Sequence, residues 1–270
     1  MSTGTRNALK KMGIAPVAGR IYAEIKMIWE QGAYWLKGKA GRLADDGLPV
    51  PPPRMRRLVA GEDDLEWFLK GGQLAAETIR EALERNEIGM NQFEKMLDFG
   101  CGCGRVTRQW KDLHGVKVHG TDYNQRLIKW CCHNLRFARF VTNQLEPPLS
   151  YSDQSFDFIY ALSVFTHIPE ALQFSWMDEL RRVMKSQGLL LITTHGKRYL
   201  NVMTQEERNR FQQGQLVVQK EQVAGTNMCV TYHPPSYVYE KLARNYEAVD
   251  FIKEGAKGNP HQDIFLLRKV

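Results

Sequence analysis

The chain has 270 residues, of which 43% are hydrophobic and 25% are charged, and its formal net charge is +7. These proportions are those of a globular protein and exclude a disordered or collagen-like chain. No apolar run approaches the ~18 residues that cross a bilayer, and the basic first residues are not followed by the apolar core of a signal peptide. We therefore expect a cytoplasmic protein.

The positive charge is concentrated in the first 60 residues, and residues 61–270 are close to neutral. A protein that follows a phosphate backbone needs a basic surface on its main domain. The charge distribution therefore disfavours a nucleic-acid substrate.

The five cysteines predict neither a disulfide framework nor a metal centre. Their number is odd, and two pairs lie too close in sequence for easy bridging. Cys101 and Cys103 form a C-x-C pair between glycines, which differs from the C-x-x-C spacing of common zinc sites. We expect no bound metal.

Residues 1–60 are predicted to form a basic helical extension that precedes a domain over 61–270. Apolar residues recur at helical spacing between about 16 and 40. Two interpretations of this helix stay open. It packs on its own domain or on a second subunit, or it lies as a basic amphipathic helix on an anionic membrane. The proline-rich segment 47–53 predicts a stiff, extended connector.

From residue 65 onward, short apolar strands alternate with helices. The alternation predicts a Rossmann-like αβα sandwich with a mostly parallel sheet. The first helix covers about 65–83, and Gly71-Gly72 is a candidate break in it. One further helix is predicted to begin at 104, and others cover 124–134, 171–184 and 235–246. Strands are predicted over 95–100, 116–122, 138–143, 156–165 and 188–195. The segments 248–254 and 263–269 are predicted to pair as a closing hairpin.

The connection over 196–230 is unusually long for this type of fold. Long connections at the ligand edge often serve as lids or specificity elements. We predict that role here, with a small β-hairpin around 216–223.

A glycine-rich turn follows the strand over 95–100, in the sequence LDFGCGCGRV. Glycine allows a tight turn and a close approach of a ligand to the backbone. A dinucleotide fingerprint requires a third glycine at position 105, where this chain has Arg105. Asp98 repels a pyrophosphate and attracts an ammonium group. The turn therefore favours the amino-acid portion of S-adenosylmethionine over NAD or FAD, and its predicted contacts are Asp98, Gly100, Cys101, Gly102 and Gly104.

Asp122 ends the next strand, 18 residues after Gly104. An acid at the tip of this strand can hold both hydroxyls of a ribose. Asp98 and Asp122 could each cap a helix instead, but two acids around a triple-glycine turn favour a nucleoside-like ligand.

These motifs resemble those of the class I S-adenosylmethionine-dependent methyltransferases of the bacterial small-molecule and glycan-associated type. The resemblance covers about 65–270 and includes LDFGCGCGRV, VHGTDYN, FVTNQLEPPLSYSDQSFDFIYALSVFTHIP and LRRVMKSQGLLLITTHG. It implies a seven-stranded sheet of order 3-2-1-4-5-7-6 with an antiparallel last strand. It also implies that Tyr123 stacks near the adenine, that Asn143 or Gln144 meets the adenine amine, and that the methionine portion lies over Ala161, Leu162 and Ser163.

Three histidines follow strands or precede a helix at the predicted ligand edge. A hydroxyl acceptor usually has to lose a proton, and histidine is the natural base near neutral pH. His167, His195 and His233 are therefore candidate catalytic residues. For each, the alternative is a buried histidine that shapes a loop through hydrogen bonds.

The acceptor is predicted by elimination. No Asn/Asp-Pro-Pro-aromatic turn follows the fourth strand, which argues against methylation of base or glutamine amines, and the absence of a Pro-Cys pair argues against pyrimidine carbon methylation. A small molecule, a sugar or a lipid-linked intermediate remains, with oxygen as the expected atom. The alternative function is a non-catalytic scaffold that binds S-adenosylmethionine and docks a partner.

Overall fold

The structure is a computed structural model that describes residues 42–258 and 261–270. The chain divides into two compact units, Met1–Arg54 and Met55–Val270. The helix predicted within residues 16–40 lies outside the described residues. The predicted connector is not fully extended, because Leu43 and Pro49 form an antiparallel bridge across a turn in which Gly47 has a φ of 74°.

The described residues form six α-helices and nine strands. The helices are α1 Pro53–Ala60, α2 Leu65–Glu84, α3 Gln125–Asn134, α4 Glu170–Val183, α5 Gln205–Gln212 and the short α6 Pro235–Tyr237, which continues as a π-helical turn over Val238–Leu242. The strands are β1 Lys95–Phe99, β2 Lys117–Asp122, β3 Arg139–Thr142, β4 Phe156–Ala161, β5 Met184–Thr194, β6 Val217–Gln219, β7 Val230–Tyr232, β8 Tyr246–Ala256 and β9 Gln262–Lys269.

Seven strands form one sheet in the order β3-β2-β1-β4-β5-β9-β8. Strands β1 to β5 are parallel, and β9 is antiparallel to both β5 and β8. When the separate pair β6-β7 is left out of the numbering, this is the predicted order 3-2-1-4-5-7-6. The predicted fold is confirmed.

Two apolar layers cover the two faces of the sheet. Successive residues of a strand point to opposite faces, so Leu97 packs with Trp176 and Leu180 of α4, whereas Met96 packs with Ile79 and other residues of α2. The sheet is therefore fixed in the middle of the sandwich, and the carboxyl ends of β1, β2, β4 and β5 meet at one edge.

Helix α2 runs without a break through Gly71 and Gly72, so the candidate break is wrong. A Cβ atom on Gly72 would lie 2.3 Å from the carbonyl oxygen of Arg105, and one on Gly71 would lie 2.9 Å from its guanidinium. The two glycines allow α2 to approach the glycine-rich turn closely.

The helix predicted to begin at 104 is also wrong, because only a 3₁₀ turn over Thr107–Trp110 forms there. Thr107, Arg108 and Trp110 are all buried. An amphipathic helix needs a solvent face, and this segment lacks one.

The segment 196–230 contains α5, whose start is fixed by a capping box of Thr204 and Glu207. A hairpin was predicted around 216–223, but the strand that forms there, β6, pairs with β7 outside this range. Lys220 has a φ of 53° and leads into a 3₁₀ turn, so a second strand does not follow β6 directly.

Candidate active site

A cavity of about 480 Å³ opens at the carboxyl edge of β1, β2 and β4. This volume lies within the ~300–1,000 Å³ range of small-molecule sites. Most of the predicted site residues line it: Asp98, Gly100, Cys101, Gly102, Asp122, Tyr123, Asn143, Gln144, Leu162, Ser163 and His167.

The three glycines of the turn have φ values between 57° and 78°, which L side chains rarely adopt. A Cβ atom on Gly100 would lie 2.4 Å from Val164 Cγ2. A Cβ atom on Gly104 would lie 2.3 Å from Leu135 Cδ1. Gly104 does not line the cavity, because it faces the end of α3, so its predicted cofactor contact is corrected to a packing role.

Asp98 is a buried carboxyl group in the cavity wall. Its Oδ2 accepts a hydrogen bond of 2.6 Å from the hydroxyl of Thr107. Burial raises the pKa of Asp98 to about 6, although the bond from Thr107 favours the charged form. A cationic ligand group beside it would stabilise the carboxylate further.

Asp122 accepts two backbone hydrogen bonds, from Gly102 to Oδ2 at 3.0 Å and from Asn124 to Oδ1 at 2.7 Å. A carboxylate has about four accepting positions, so two remain for ligand hydroxyls. The N-cap of α3 is Asn124, whose Oδ1 accepts from the backbone of Arg126. Asp122 therefore ties the glycine-rich turn to β2 and does not cap the helix.

Tyr123 lies at the mouth of the cavity with 41% of its surface exposed. Its hydroxyl donates to the carbonyl of Gly225 at 2.7 Å. Asn143 accepts a bond of 2.6 Å from Thr121 and donates one of 2.6 Å to the carbonyl of Gln144. These bonds fix both side chains before a ligand arrives.

His167 ends a 3₁₀ turn after β4, and its Nδ1 lies 2.7 Å from the carbonyl oxygen of Cys229. Because a carbonyl only accepts, Nδ1 carries the hydrogen and Nε2 carries the lone pair of the neutral ring. Burial lowers the pKa of His167 below its usual value. The ring is therefore neutral near pH 7 and can take a proton from a hydroxyl group.

The other two candidate histidines do not line the cavity. His233 is fully buried, and its Nε2 lies 3.0 Å from Gln173 Oε1. His195 is buried between the carbonyl of Thr231 and the side chain of Gln262. Burial lowers the pKa of each ring to about 3. Of the three candidate histidines, the structure therefore places only His167 in the cavity wall, and the hydrogen bonds of the other two lie within the protein.

Ala161 is also outside the cavity wall. It is fully buried in β4 and pairs with Ile192 of β5. The strand ends there, and the chain turns into the cavity only at Leu162 and Ser163, so the prediction for Ala161 was placed one residue early.

Two further segments line the cavity, namely residues 57–59 of α1 and residues 225–228 at the end of the predicted lid. The side chain of Asn227 donates to the carbonyl of Leu58 at 3.0 Å. The backbone of Gly225 donates to the carbonyl of His167 at 2.7 Å. The connection 196–230 was predicted to act as a lid, but no sequence signal singled out its last few residues or α1.

Residues 97–192 match the family described as methyltransferase domain. This range runs from β1 to β5 and includes the glycine-rich turn, Asp122 and His167. Over these residues the chain matches a methyltransferase domain, and its sheet has the fold of class I S-adenosylmethionine-dependent methyltransferases. The cofactor of this domain is S-adenosylmethionine.

Curated methyltransferases are similar to parts of the chain, and solved structures share its fold. The chain is 30% identical over 112 residues to phosphoethanolamine N-methyltransferase 2 of Caenorhabditis elegans, covering 39% of this chain and 25% of that protein. It is 28% identical over 156 residues to malonyl-[acyl-carrier protein] O-methyltransferase of Paenibacillus sp. (strain JDR-2), covering 53% of each. The chain thus matches between a quarter and about half of the length of these two relatives.

The crystal structure of an S-adenosylmethionine-dependent methyltransferase from Mesorhizobium loti superposes with a TM-score of 0.54. The superposed part is 71% of this chain and 98% of the Mesorhizobium loti chain, at 14% sequence identity, which shows a shared fold.

Within residues 42–258 and 261–270, no helix of the methyltransferase domain or its flanks is long and apolar enough to cross a membrane. The same residues contain no group of three or more histidine, cysteine or acidic side chains that could hold a metal ion.

Proposed function

We propose that this chain transfers a methyl group from S-adenosylmethionine to an oxygen atom of a small molecule. The observation that carries the proposal is His167, whose ring lines the same cavity as the predicted cofactor residues and has Nδ1 committed to Cys229. Nε2 is then the nitrogen that accepts the proton of an acceptor hydroxyl.

The charged residues of the cavity fit the polar groups of the cofactor. Asp98 provides a buried carboxylate for the ammonium group of the methionine portion. Asp122 has two accepting positions left for the ribose hydroxyls, because Gly102 and Asn124 occupy the others. Tyr123 packs against the adenine.

Three further groups of residues complete the proposed cofactor site. Asn143, with Gln144 as the alternative, meets the adenine amine. Leu162 and Ser163 lie under the methionine portion. Gly100, Cys101 and Gly102 contribute backbone where the chain bends sharply.

When bound, S-adenosylmethionine supplies a methyl group on a positively charged sulfur. The residues of this chain hold the acceptor in line with that methyl group, and positioning of this kind can contribute up to ~7–11 kcal/mol in favourable cases. His167 takes the proton of the acceptor hydroxyl, a role that typically contributes ~10²–10⁴-fold. The lowered pKa of His167 keeps its ring in the accepting form near pH 7.

The acceptor is a small molecule, a sugar or a lipid-linked intermediate. One curated relative is named an N-methyltransferase and another an O-methyltransferase, so the assignment to oxygen depends on His167. The domain proposed for this activity covers 61–270, with 196–230 as the lid and specificity segment, and residues 57–59 of the preceding extension line its cavity. The helix predicted over about 16–40 packs on its own domain or on a second subunit, or contacts a membrane.

The test pairs acceptors that differ in one atom. The wild-type chain is incubated with methyl-labelled S-adenosylmethionine and with matched alcohols, amines and thiols, and products are identified by mass spectrometry and NMR. We expect label on oxygen and a ~10²-fold or greater loss of turnover in His167→Ala. His133→Ala, on the exposed surface of α3, is the control. Labelling of amines alone, or full turnover in His167→Ala, would overturn the assignment.

A further inference from the structure

A closed ring of hydrogen bonds lies behind Ser163 in the cavity wall. The backbone N–H of Ser163 donates to Thr193 Oγ1 at 2.7 Å, and this hydroxyl donates to Gln262 Oε1 at 2.7 Å. The amide Nε2 of Gln262 donates back to Ser163 Oγ at 2.9 Å. The ring joins the end of β4 to β5 and β9.

The two members of the ring behind Ser163 are buried side chains that do not themselves line the cavity. Thr193 is 0% exposed and Gln262 is 4% exposed. A buried polar atom that loses its hydrogen-bond partner lowers the free energy of unfolding. The members of the ring are therefore held to one set of partners.

His195 fixes the direction of the ring. Its Nε2 lies 3.2 Å from Gln262 Nε2, and its Nδ1 lies 3.2 Å from the carbonyl of Thr231. A carbonyl requires Nδ1 to donate, so Nε2 accepts the second hydrogen of the Gln262 amide. His195 remains neutral because burial lowers its pKa to about 3. The amide nitrogen of Gln262 therefore points to Ser163, and its oxygen points to Thr193.

Ser163 needs this support because its φ is 59°. A residue other than glycine in the left-handed region is strained, and the surroundings must hold it there. The hydroxyl of Thr166 donates to the carbonyl of Ser163 at 2.9 Å, and Ser163 Oγ accepts from Gln262. The proton of Ser163 is therefore left to reach Thr166 Oγ1, at 3.0 Å, or a ligand in the cavity.

We propose that Thr193 and Gln262 are positioning residues that hold the Ser163 hydroxyl as a hydrogen-bond donor to the amino-acid portion of the cofactor. The inference rests on the proposed placement of that portion over Ser163. It assigns a role in cofactor binding to two residues of β5 and β9 that do not touch the cavity.

The strand β5 offers a matched pair of variants. Thr193→Val removes a hydroxyl of the ring. Thr194→Val removes the neighbouring buried hydroxyl, which has no hydrogen-bond partner within the described part of the chain. Thr193→Ser keeps the hydroxyl and serves as the rescue variant.

The measurement is calorimetric titration with S-adenosylhomocysteine and with 5′-methylthioadenosine, which lacks the amino-acid portion. We expect Thr193→Val to weaken S-adenosylhomocysteine binding by about tenfold, while 5′-methylthioadenosine binds as it does to wild type. Thr194→Val and Thr193→Ser should bind both ligands as wild type does. Gln262→Glu replaces the amide that donates to Ser163 by a carboxyl group of similar size. If Thr193→Val folds poorly, Gln262→Glu provides the same test, because it should also weaken S-adenosylhomocysteine binding.

Two outcomes would overturn the inference. Equal binding of S-adenosylhomocysteine by Thr193→Val and Thr194→Val would show that the ring does not position Ser163. Equal weakening of both ligands in Thr193→Val would show a general loosening of the domain. Failure of the wild-type chain to bind either ligand would instead refute the proposed function on which the inference rests.

Discussion

Asp122→Ala provides the sharpest test of the proposed cofactor site. Two accepting positions of the Asp122 carboxylate remain after the bonds from Gly102 and Asn124, and the proposal assigns them to the ribose hydroxyls. Hydrogen bonds to a charged group contribute about 1.5–3 kcal/mol each. Their joint loss is therefore about 3 kcal/mol or more, which corresponds to about a hundredfold or greater rise in the Kd.

The same substitution also affects stability. The buried N–H of Gly102 loses its acceptor, and an unsatisfied buried donor costs about 1–3 kcal/mol. We expect a domain that remains folded with a lower free energy of unfolding. Calorimetric titration with S-adenosylhomocysteine measures affinity, and urea denaturation of the same samples measures stability.

Asp157 provides a matched control at the amino end of β4. Its Oδ2 accepts two backbone hydrogen bonds, from Glu94 at 3.1 Å and from Lys95 at 2.8 Å, and it does not line the cavity. Asp157→Ala should therefore lose stability without losing affinity. An unchanged Kd in Asp122→Ala, or an equal rise in both variants, would refute the ribose assignment.

Four further outcomes are expected. Turnover should be constant near neutral pH and fall only at a pH lower than an ordinary histidine would give, because burial lowers the pKa of His167; a pH–rate profile checks this. The affinity for S-adenosylhomocysteine should fall as the pH drops through about 6, where Asp98 becomes protonated, and Asp98→Asn should remove this dependence in calorimetry. Gly72→Ala should destabilise the domain by about 1–3 kcal/mol in urea denaturation, because the added Cβ would lie 2.3 Å from the Arg105 carbonyl oxygen. Leu180→Ala, at a fully buried core position, should lower the free energy of unfolding by about 2–5 kcal/mol.

The strands could be predicted from the sequence because their signal is local, whereas their order followed only from the resemblance to a known family. β4 and β5 are short apolar runs between turn residues, and the glycine-rich turn fixes the identity of the strand before it. The 3₁₀ turn after Gly104 could not be predicted this way. Its conformation depends on buried contacts of Thr107 and Trp110 with distant residues.

The histidines show the same limit within the site. His167, His195 and His233 all occupy the predicted edge of the sheet, and their local sequences do not distinguish them. What separates them is the partner of each ring nitrogen, and these partners are 36 to 67 positions away in the sequence. The places of residues 57–59 and 225–228 in the cavity wall could not be predicted for the same reason, since they reach the cavity from distant parts of the chain.

The claim that this domain binds S-adenosylmethionine is tested by titrating the wild-type chain with S-adenosylmethionine, S-adenosylhomocysteine and NADH in a calorimeter. We expect one binding site with micromolar affinity for both adenosyl ligands and no heat of binding for NADH. Binding of NADH, or of none of the three ligands, would contradict it.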